Sequence, residues 1–264
     1  MQPKLIAVDM DGTFLDDHKD YDRQRFARLM PELRARGIQF VVASGNQYYQ
    51  LRDFFTDYPD VYYLAENGAY CATATTKLFS HTFAPETART VLDRLLAMPE
   101  LKLTICAEHS AYIRQREGAD FINETQHYYT RLKRVADFDQ LPADAILKFA
   151  SACPPALTTT MIARIADACA GLAVPTSSGH GDIDIIQPGV NKASGLRQLG
   201  RHLKIDLSAM VAFGDGGNDL EMLQEVGLGV AMANADPAIQ KIAAAHTGDN
   251  NHAGVIAFIE ALLA

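Results

Sequence analysis

LIAVDMDGT, residues 5–13, combines a short apolar run with two carboxylates and a glycine. The run at residues 5–8 is apolar throughout, which predicts a strand of a parallel sheet that is buried on both faces. Asp9 then stands at the carboxyl end of this strand, and Asp11 lies in the turn that follows. Ligands of parallel sheets bind beyond the carboxyl ends of the strands, so this turn is the first place to expect a functional site.

The next segments predict a strand, helix and strand unit. Apolar residues recur at helical spacing over residues 22–36, and Gly37 supplies the end of the helix. Pro31 lies inside this stretch and predicts a kink or a broken helix. Residues 38–43 are a second buried strand, which a right-handed crossover makes parallel to the first. Its polar end, Ser44-Gly45-Asn46, therefore lies beside Asp9.

The middle of the chain predicts a separate domain. Residues 61–65 give a third strand, but from about residue 83 the regular alternation stops. The segments expected there are a helix at 86–98, a strand at 103–107, less regular stretches that include 156–170, and an alternating strand at 182–186. We interpret residues 83–188 as an inserted α/β domain.

Strand and helix alternation returns after Pro188. The expected elements are helices at 191–203 and 219–226, strands at 210–213 and 227–231, and two final helices at 236–244 and 253–263. Residues 1–82 and 189–264 are thus predicted to form one discontinuous α/β core with a parallel sheet.

Gly214-Asp215-Gly216-Gly217-Asn218-Asp219 follows another apolar strand, so its carboxylates should reach the same sheet edge as Asp9. Several carboxylates on one edge repel each other unless a cation lies between them. Mg²⁺ prefers oxygen ligands and keeps several waters. The expected ligands are Asp9, the carbonyl of Asp11, and Asp215, with Asp219 orienting them from behind.

These residues together predict phosphoryl transfer. Lys192 opens a helix, and with Ser44 and Asn218 it would bind phosphate oxygens. Asp9 would attack phosphorus to form an aspartyl-phosphate, and Asp11 would give a proton to the leaving alcohol and later take one from water.

The amino-acid composition limits the kinds of partner and the cellular compartment that we expect. The formal net charge is −8 over 264 residues, which disfavours nucleic acid binding. Four dispersed cysteines lack the spacing of metal sites and predict buried free thiols. No signal peptide or membrane-length apolar run is visible, so we expect a cytoplasmic protein whose partner is a small phosphorylated metabolite.

The motifs together resemble the haloacid dehalogenase (HAD) superfamily, and within it the Cof-type phosphatases with an inserted cap of the C2B type. The matching segments are DMDGTFL at 9–15, ASGN at 43–46, Lys192, and GDGGNDLEML at 214–223. The resemblance implies a Rossmann-like core with an α/β cap, Mg²⁺ as the cofactor, and phosphate binding by Ser44, Gly45, Asn46, Lys192 and Asn218.

Two further segments, ASGNQYYQL at 43–51 and GDNNHAG at 248–254, are most similar to bacterial sugar-phosphate phosphatases of that group. Asn46 stands where many relatives have Arg. The cap of this family selects the leaving group, which makes His180 and Asp182 candidates, although a solvated loop explains them equally well. Asn67, Asn250 and Asn251 are candidates for a place near the substrate, but turn formation is the better explanation for each.

Two other functions remain open at this point. A phosphotransferase or phosphomutase would share the aspartyl-phosphate but pass the group to a sugar. A non-catalytic sugar-phosphate sensor would be expected to lack Asp9 or Asp11, and both are present.

Overall fold

The computed structural model describes residues 3–179 and 181–264. Two sheets form in this part of the chain, one of eight strands and one of six. The strands are β1 (Leu5–Val8), β2 (Gln39–Ala43), β3 (Tyr62–Ala65), β4 (Tyr70–Ala72), β5 (Lys77–Ser80), β6 (Lys102–Ala107), β7 (Ala111–Arg114), β8 (Leu132–Val135), β9 (Ile146–Ala152), β10 (Val174–Gly179), β11 (Asp182–Ile186), β12 (Met210–Gly214), β13 (Leu228–Ala231) and β14 (Ala245–His246). The α-helices are α1 (Arg23–Ala35), α2 (Tyr48–Asp53), α3 (Pro85–Leu96), α4 (Ala119–Tyr128), α5 (Thr158–Ala168), α6 (Lys192–Leu203), α7 (Leu220–Glu225), α8 (Pro237–Ile242) and α9 (Gly254–Leu263).

The larger sheet is the core, in the order β14-β13-β12-β1-β2-β3-β4-β5. Strands β14 to β3 are mutually parallel, and β4 and β5 extend the sheet as antiparallel strands. Apolar clusters cover both faces, with Ile6 and Val8 of β1 in one and Leu5 and Ala7 in the other. This two-sided burial explains the unbroken apolar run. Since β12, β1 and β2 are neighbours and parallel, the turns after them meet at one edge.

The smaller sheet is the cap, in the order β10-β11-β9-β6-β7-β8. Its strands are antiparallel except for the β7–β8 pair. One face packs an apolar cluster that includes Phe149, Ile183 and Ile185 against helices α3 and α5. The alternate residues of the same strands face the core. The fold is therefore the expected Rossmann-like core with an inserted α/β cap; the boundaries at residues 83 and 188 stay a prediction.

Two details of the predicted helices differ in the structure. Helix α1 forms where it was predicted but is not broken at Pro31, and it runs from Arg23 to Ala35. Four side chains of this helix are buried in the core, and this packing holds the helix together despite the missing N–H of the proline. The stretch 156–170 contains a regular helix, α5, which begins with three threonines of low helix propensity and buries Met161 and Ile165 in the cap.

The predicted state of the cysteines is confirmed, because Cys71, Cys106, Cys153 and Cys169 are all buried and unpaired. None of the helices in the described ranges combines the length and the apolar character that a membrane crossing requires.

Candidate active site

A cavity of about 610 Å³ lies between the carboxyl edge of the core sheet and the polar face of the cap sheet. Turns of the core supply one wall, and strands β6, β9 and β11 with helix α4 supply the other. The predicted site residues that line it are Asp9, Asp11, Ser44, Gly45, Asn46, Asp182, Asp215, Asn218, Asn250 and Asn251.

Lys192 ties two distant carboxylates together at the floor of this cavity. Its ammonium donates hydrogen bonds of 2.6 Å to Asp9 Oδ1 and of 2.6 Å to Asp219 Oδ1. The lysine is the first residue of helix α6, which starts with a capping box between Asn191 and Ser194. Both Lys192 and Asp219 are fully buried. The helix start thus fixes the ammonium beside Asp9.

Asp219 holds in shape the turn after β12, residues 215–219, which we call the acidic turn. Its Oδ2 accepts hydrogen bonds from the backbone N–H groups of Asp215 (3.0 Å) and Gly216 (3.1 Å). Its oxygens therefore hold the lysine and the turn, which fits the supporting role predicted for Asp219 rather than a role as a direct metal ligand.

Two residues of the turn after β1, residues 9–13, lie against Asp215; we call this turn the first turn. Thr13, which sequence reasoning missed, donates from Oγ1 to Asp215 Oδ1 over 2.6 Å. Gly12 has φ +73°, and a Cβ at this position would collide with Asp215 Oδ2. Only glycine therefore allows the first turn and the acidic turn to approach this closely.

The carboxylates carry more negative charge than the single ammonium balances. Burial raises the pKa of Asp9 well above its ordinary value, which Lys192 opposes and which Asp219 and Asp215 increase. Burial, with the charge of Asp219, raises the pKa of Asp215 to about 7. Oxygens of Asp9, Asp215 and Asp219 lie within 4.8 Å of one another. A compact group of carboxylate oxygens with excess negative charge fits a hard divalent cation such as Mg²⁺. Asp9 and Asp215 are the members free to face the ion, because the oxygens of Asp219 already accept hydrogen bonds from Lys192 and the turn.

Asp11 lies beside this cluster at the rim of the cavity, where both of its oxygens accept hydrogen bonds. Asn46 Nδ2 donates to Oδ2 and Lys19 Nζ donates to Oδ1, each over 2.6 Å. The Lys19 ammonium also lies 5.8 Å from the centre of the Tyr128 ring in the cap. Asn46 therefore orients Asp11, a role that the sequence did not suggest.

The Ser44-Gly45-Asn46 loop is fixed by the turn after β3. Asn67 N donates to Ser44 O over 3.0 Å, and Glu66 N donates to Asn46 O over 3.1 Å. Ser44 is buried, and its Oγ accepts from Asn46 N over 3.1 Å. This loop keeps its shape through backbone contacts, which leaves its outer surface to face the cavity.

The three asparagines lie in turns, as predicted, and their side chains make further contacts. Asn67 does occupy a turn, with φ +55°, but its buried side chain also accepts a hydrogen bond of 3.1 Å from Asn218 Nδ2. Asn250 Nδ2 donates to Leu15 O, and Asn251 Nδ2 donates to Asp17 Oδ2, each over 3.1 Å. These side chains brace the turns around the site.

The two cap residues singled out from the sequence have different outcomes. Asp182 opens β11 and lines the cavity. His180 lies outside the described residues.

Comparisons with known proteins agree with this geometry. The family model of haloacid dehalogenase-like hydrolases matches residues 6–259. The 5-amino-6-(5-phospho-D-ribitylamino)uracil phosphatase YbjI of Escherichia coli strain K12 is 41% identical over 264 residues, which cover 100% of this chain and 97% of that protein.

Solved structures show the same fold over the full length. The crystal structure of SMU.1108c from Streptococcus mutans UA159 has a TM-score of 0.94 at 32% identity and covers 99% of both chains. The HAD subclass IIB sugar phosphatase BT4131 has a TM-score of 0.84 and covers 98% of both chains; at 18% identity this likeness shows the fold alone. The chain therefore belongs to the haloacid dehalogenase-like hydrolases, and it is a phosphatase of this family.

Proposed function

We propose that the protein is a Mg²⁺-dependent phosphomonoesterase that hydrolyses small phosphorylated metabolites of the sugar-phosphate class through an aspartyl-phosphate on Asp9. The observation that carries the proposal is the buried Asp9–Lys192–Asp219 chain, with Asp215 and Asp11 at its open side. A cytoplasmic location stays a prediction.

Asp9, the carbonyl of Asp11, and Asp215 are the groups that would hold Mg²⁺. When bound, the ion supplies positive charge against both the carboxylates and the phosphoryl oxygens. Lys192 adds a fixed positive charge, since its hydrogen bonds to Asp9 and Asp219 prevent it from turning away. Phosphoryl transfer depends mainly on such positioning and charge stabilisation.

The reaction then has two steps. An Asp9 oxygen forms a bond to phosphorus as the bond to the leaving oxygen breaks, and Asp11 gives that oxygen a proton. Asp11 next removes a proton from a water molecule, which attacks the aspartyl-phosphate and releases inorganic phosphate with Asp9 restored. Asp11 must hold a proton at the start of the first transfer. The hydrogen bonds from Asn46 and Lys19 hold its carboxylate form in place as the base of the second.

The cavity supports a leaving group of the size of a sugar or a larger polyol. Its volume of about 610 Å³ lies within the usual range for small-molecule sites. Thr104 and Thr176 offer hydroxyl groups, while Phe121 and Tyr128 offer aromatic faces. YbjI acts, by its name, on a phosphorylated ribityl chain attached to uracil, and a polyol with a ring would suit this lining.

Single-turnover experiments distinguish the role of Asp9 from that of Asp11. They use an aryl phosphate, because its leaving group needs no proton. Asp9→Asn should give no product. Asp11→Asn should release one equivalent of the phenol, retain the phosphoryl group on Asp9, and then stop, because water is no longer activated. The phenol is followed by absorbance and the phosphoprotein by intact mass. Asp57→Asn, at an exposed position, is the matched control and should behave as wild type.

A phenol burst in Asp9→Asn would contradict the nucleophile assignment. Steady-state release of free phosphate from a panel of sugar phosphates, with and without EDTA, tests the metal and the substrate class. Isomerised sugar phosphate in place of free phosphate would instead identify a mutase.

A further inference from the structure

Three charged side chains that the proposed mechanism does not use lie between the cap and the core, two of them buried and the third, Asp184, half-buried. Lys148 belongs to β9, Asp184 to β11, and Glu66 follows β3 of the core. Lys148 is 2% exposed and Glu66 is 1% exposed. Buried charges are costly unless they are paired, so their location calls for a role.

Strand alternation directs the two cap residues at the core. In the β9–β11 ladder Asp184 pairs with Ala150, which places Lys148 one diagonal step away on the same face. Their sequence neighbours Phe149, Ile183 and Ile185 fill the apolar cluster on the other face. The alternating segment 182–186 thus aims its acidic positions at the site.

The Lys148 ammonium contacts the phosphate-binding loop directly. It donates to the Gly45 carbonyl over 2.7 Å and to Asp184 Oδ2 over 2.6 Å. Its third neighbour is Glu66 Oε2, which accepts no hydrogen bond and lies 3.5 Å away as an ion pair. An ammonium has three N–H groups. Lys148 lines the cavity, but two hydrogen bonds and one ion pair already occupy its three N–H groups. The ammonium therefore needs no ligand to balance it.

Asp184 extends this contact to the acidic turn. Its Oδ2 also accepts a hydrogen bond of 2.6 Å from Asn67 Nδ2, and Asn67 Oδ1 in turn accepts from Asn218 Nδ2. Gly45 lies close beneath both: a Cβ there would be 3.1 Å from Asp184 Oδ2 and 3.2 Å from Asn67 Oδ1. Lys148 of the cap therefore contacts the Ser44-Gly45-Asn46 loop directly, and Asp184 reaches Asn218 through Asn67.

We propose that Lys148 and Asp184 are positioning residues by which the closed cap fixes the Ser44-Gly45-Asn46 loop and Asn218 for phosphoryl transfer. The proposal rests on the proposed function and adds that part of the phosphate site is held in place from the cap. Opening the cap would separate Lys148 from Gly45 and Asp184 from Asn67, which releases both segments. Closure thus brings the phosphate site to its working shape.

The experiment compares two substrates that share only the phosphoryl group, an aryl phosphate and a sugar phosphate. Lys148→Met removes the ammonium but keeps the length of the side chain. We expect kcat to fall by the same factor, about 10- to 100-fold, for both substrates, because the disturbed loop binds the group they share. The inhibition constant of inorganic phosphate should rise as well. Lys133→Met makes the same change at an exposed position of the cap and should match wild type.

Three results would overturn the proposal. Loss with the sugar phosphate alone would show that Lys148 binds the leaving group. A lower melting temperature with unchanged kcat would show a structural role only. Equal kinetics in Lys148→Met and Lys133→Met would show no role. Inactive wild-type protein would instead contradict the proposed function itself.

A second variant covers the case in which Lys148→Met does not fold. Asp184→Asn keeps the shape of the side chain but weakens the bonds to Lys148 and Asn67. It should lower kcat several-fold, again equally for both substrates. Lys148→Arg keeps a positive donor near Gly45 and should recover part of the kcat lost in Lys148→Met, whereas no recovery would contradict the role of the donor.

Discussion

Two buried lysines occupy comparable surroundings in different regions of the molecule. Lys192 lies between Asp9 and Asp219 on the floor of the site. Lys148 lies between Asp184 and Glu66 where the cap meets the core, and we call this group of contacts the seam. In each case a charge pair replaces water around a buried ammonium. The difference is that all partners of Lys192 belong to the core, while those of Lys148 come from both the cap and the core.

This difference means that a movement of the cap can change the contacts of Lys148 but not those of Lys192. On the proposed opening of the cap, the Lys192 pairs would stay intact, because all of their members belong to the core. The Lys148 contacts to Gly45 and Glu66 would break in the same movement, because they join the cap to the core. Buried lysine pairs would thus give a fixed floor at one place and a reversible connection at the other.

Replacing Lys192 should give the largest effect. In Lys192→Met three carboxylates share the floor without their cation, which we expect to lower kcat by more than about 100-fold and the free energy of unfolding by about 3–5 kcal/mol. Lys148→Met should cost only about 1–2 kcal/mol of stability, because an opened cap lets water reach Glu66 and Asp184. Urea denaturation of both metal-free variants measures the difference.

The control for this comparison is Lys241→Met, which makes the same change on the exposed side of helix α8. It should unfold like wild type. Equal losses of unfolding free energy in the Lys192 and Lys148 variants would mean that the Lys148 contacts persist in solution as fully as the Lys192 contacts do.

Glu66 should give an intermediate, pH-dependent effect. Burial raises the pKa of Glu66 from 4.5 to about 7, a shift that Lys148 opposes and Asp184 increases. The folded protein thus binds this proton more tightly than the unfolded chain. Its contribution to stability is complete below about pH 4.5 and is lost as the pH rises through about 7. Wild type should lose up to about 3 kcal/mol of stability from this group on that rise.

Glu66→Gln should remove this part of the pH dependence. The measurement is the difference in unfolding free energy between variant and wild type from about pH 5 to about pH 8. Glu86→Gln, on the exposed first turn of helix α3, should give a curve parallel to that of wild type. A Glu66→Gln curve that also runs parallel to wild type would show that Glu66 keeps one charge state when the protein unfolds.

The core site could be predicted from the sequence because each of its residues stands next to a strong local signal. Asp9, Ser44 and Asp215 each follow an apolar strand, and parallel strands bring their carboxyl ends to one edge. The position of Asp219 beside Asp215 followed from the same turn. Lys192 marked the point where strand and helix alternation resumes.

The seam could not be predicted in the same way. Lys148 lies inside strand β9, where a single lysine in an apolar segment gives no sign of its partners. Glu66 and Asn67 read as an ordinary polar turn. Their contacts depend on how the cap sheet sits against the core, which is a tertiary property with no local pattern. The one usable signal was the alternation of segment 182–186, which implies one polar face on the cap sheet.

Lys19 should give the smallest effect, and it isolates the contribution of burial. Its pair with Asp11 is 2.6 Å long, the same as the Lys192 pairs, but the two side chains are 53% and 31% exposed. Water and salt screen such a pair, so Lys19→Met should change the free energy of unfolding by less than about 1 kcal/mol. We expect kcat/KM to change only a few-fold, since Asn46 still holds Asp11, and the change should shrink as NaCl is added. Denaturation and kinetics at low and high salt measure both quantities. A loss as large as that of Lys192→Met would mean that pair distance, and not burial, decides what a lysine contributes in this protein.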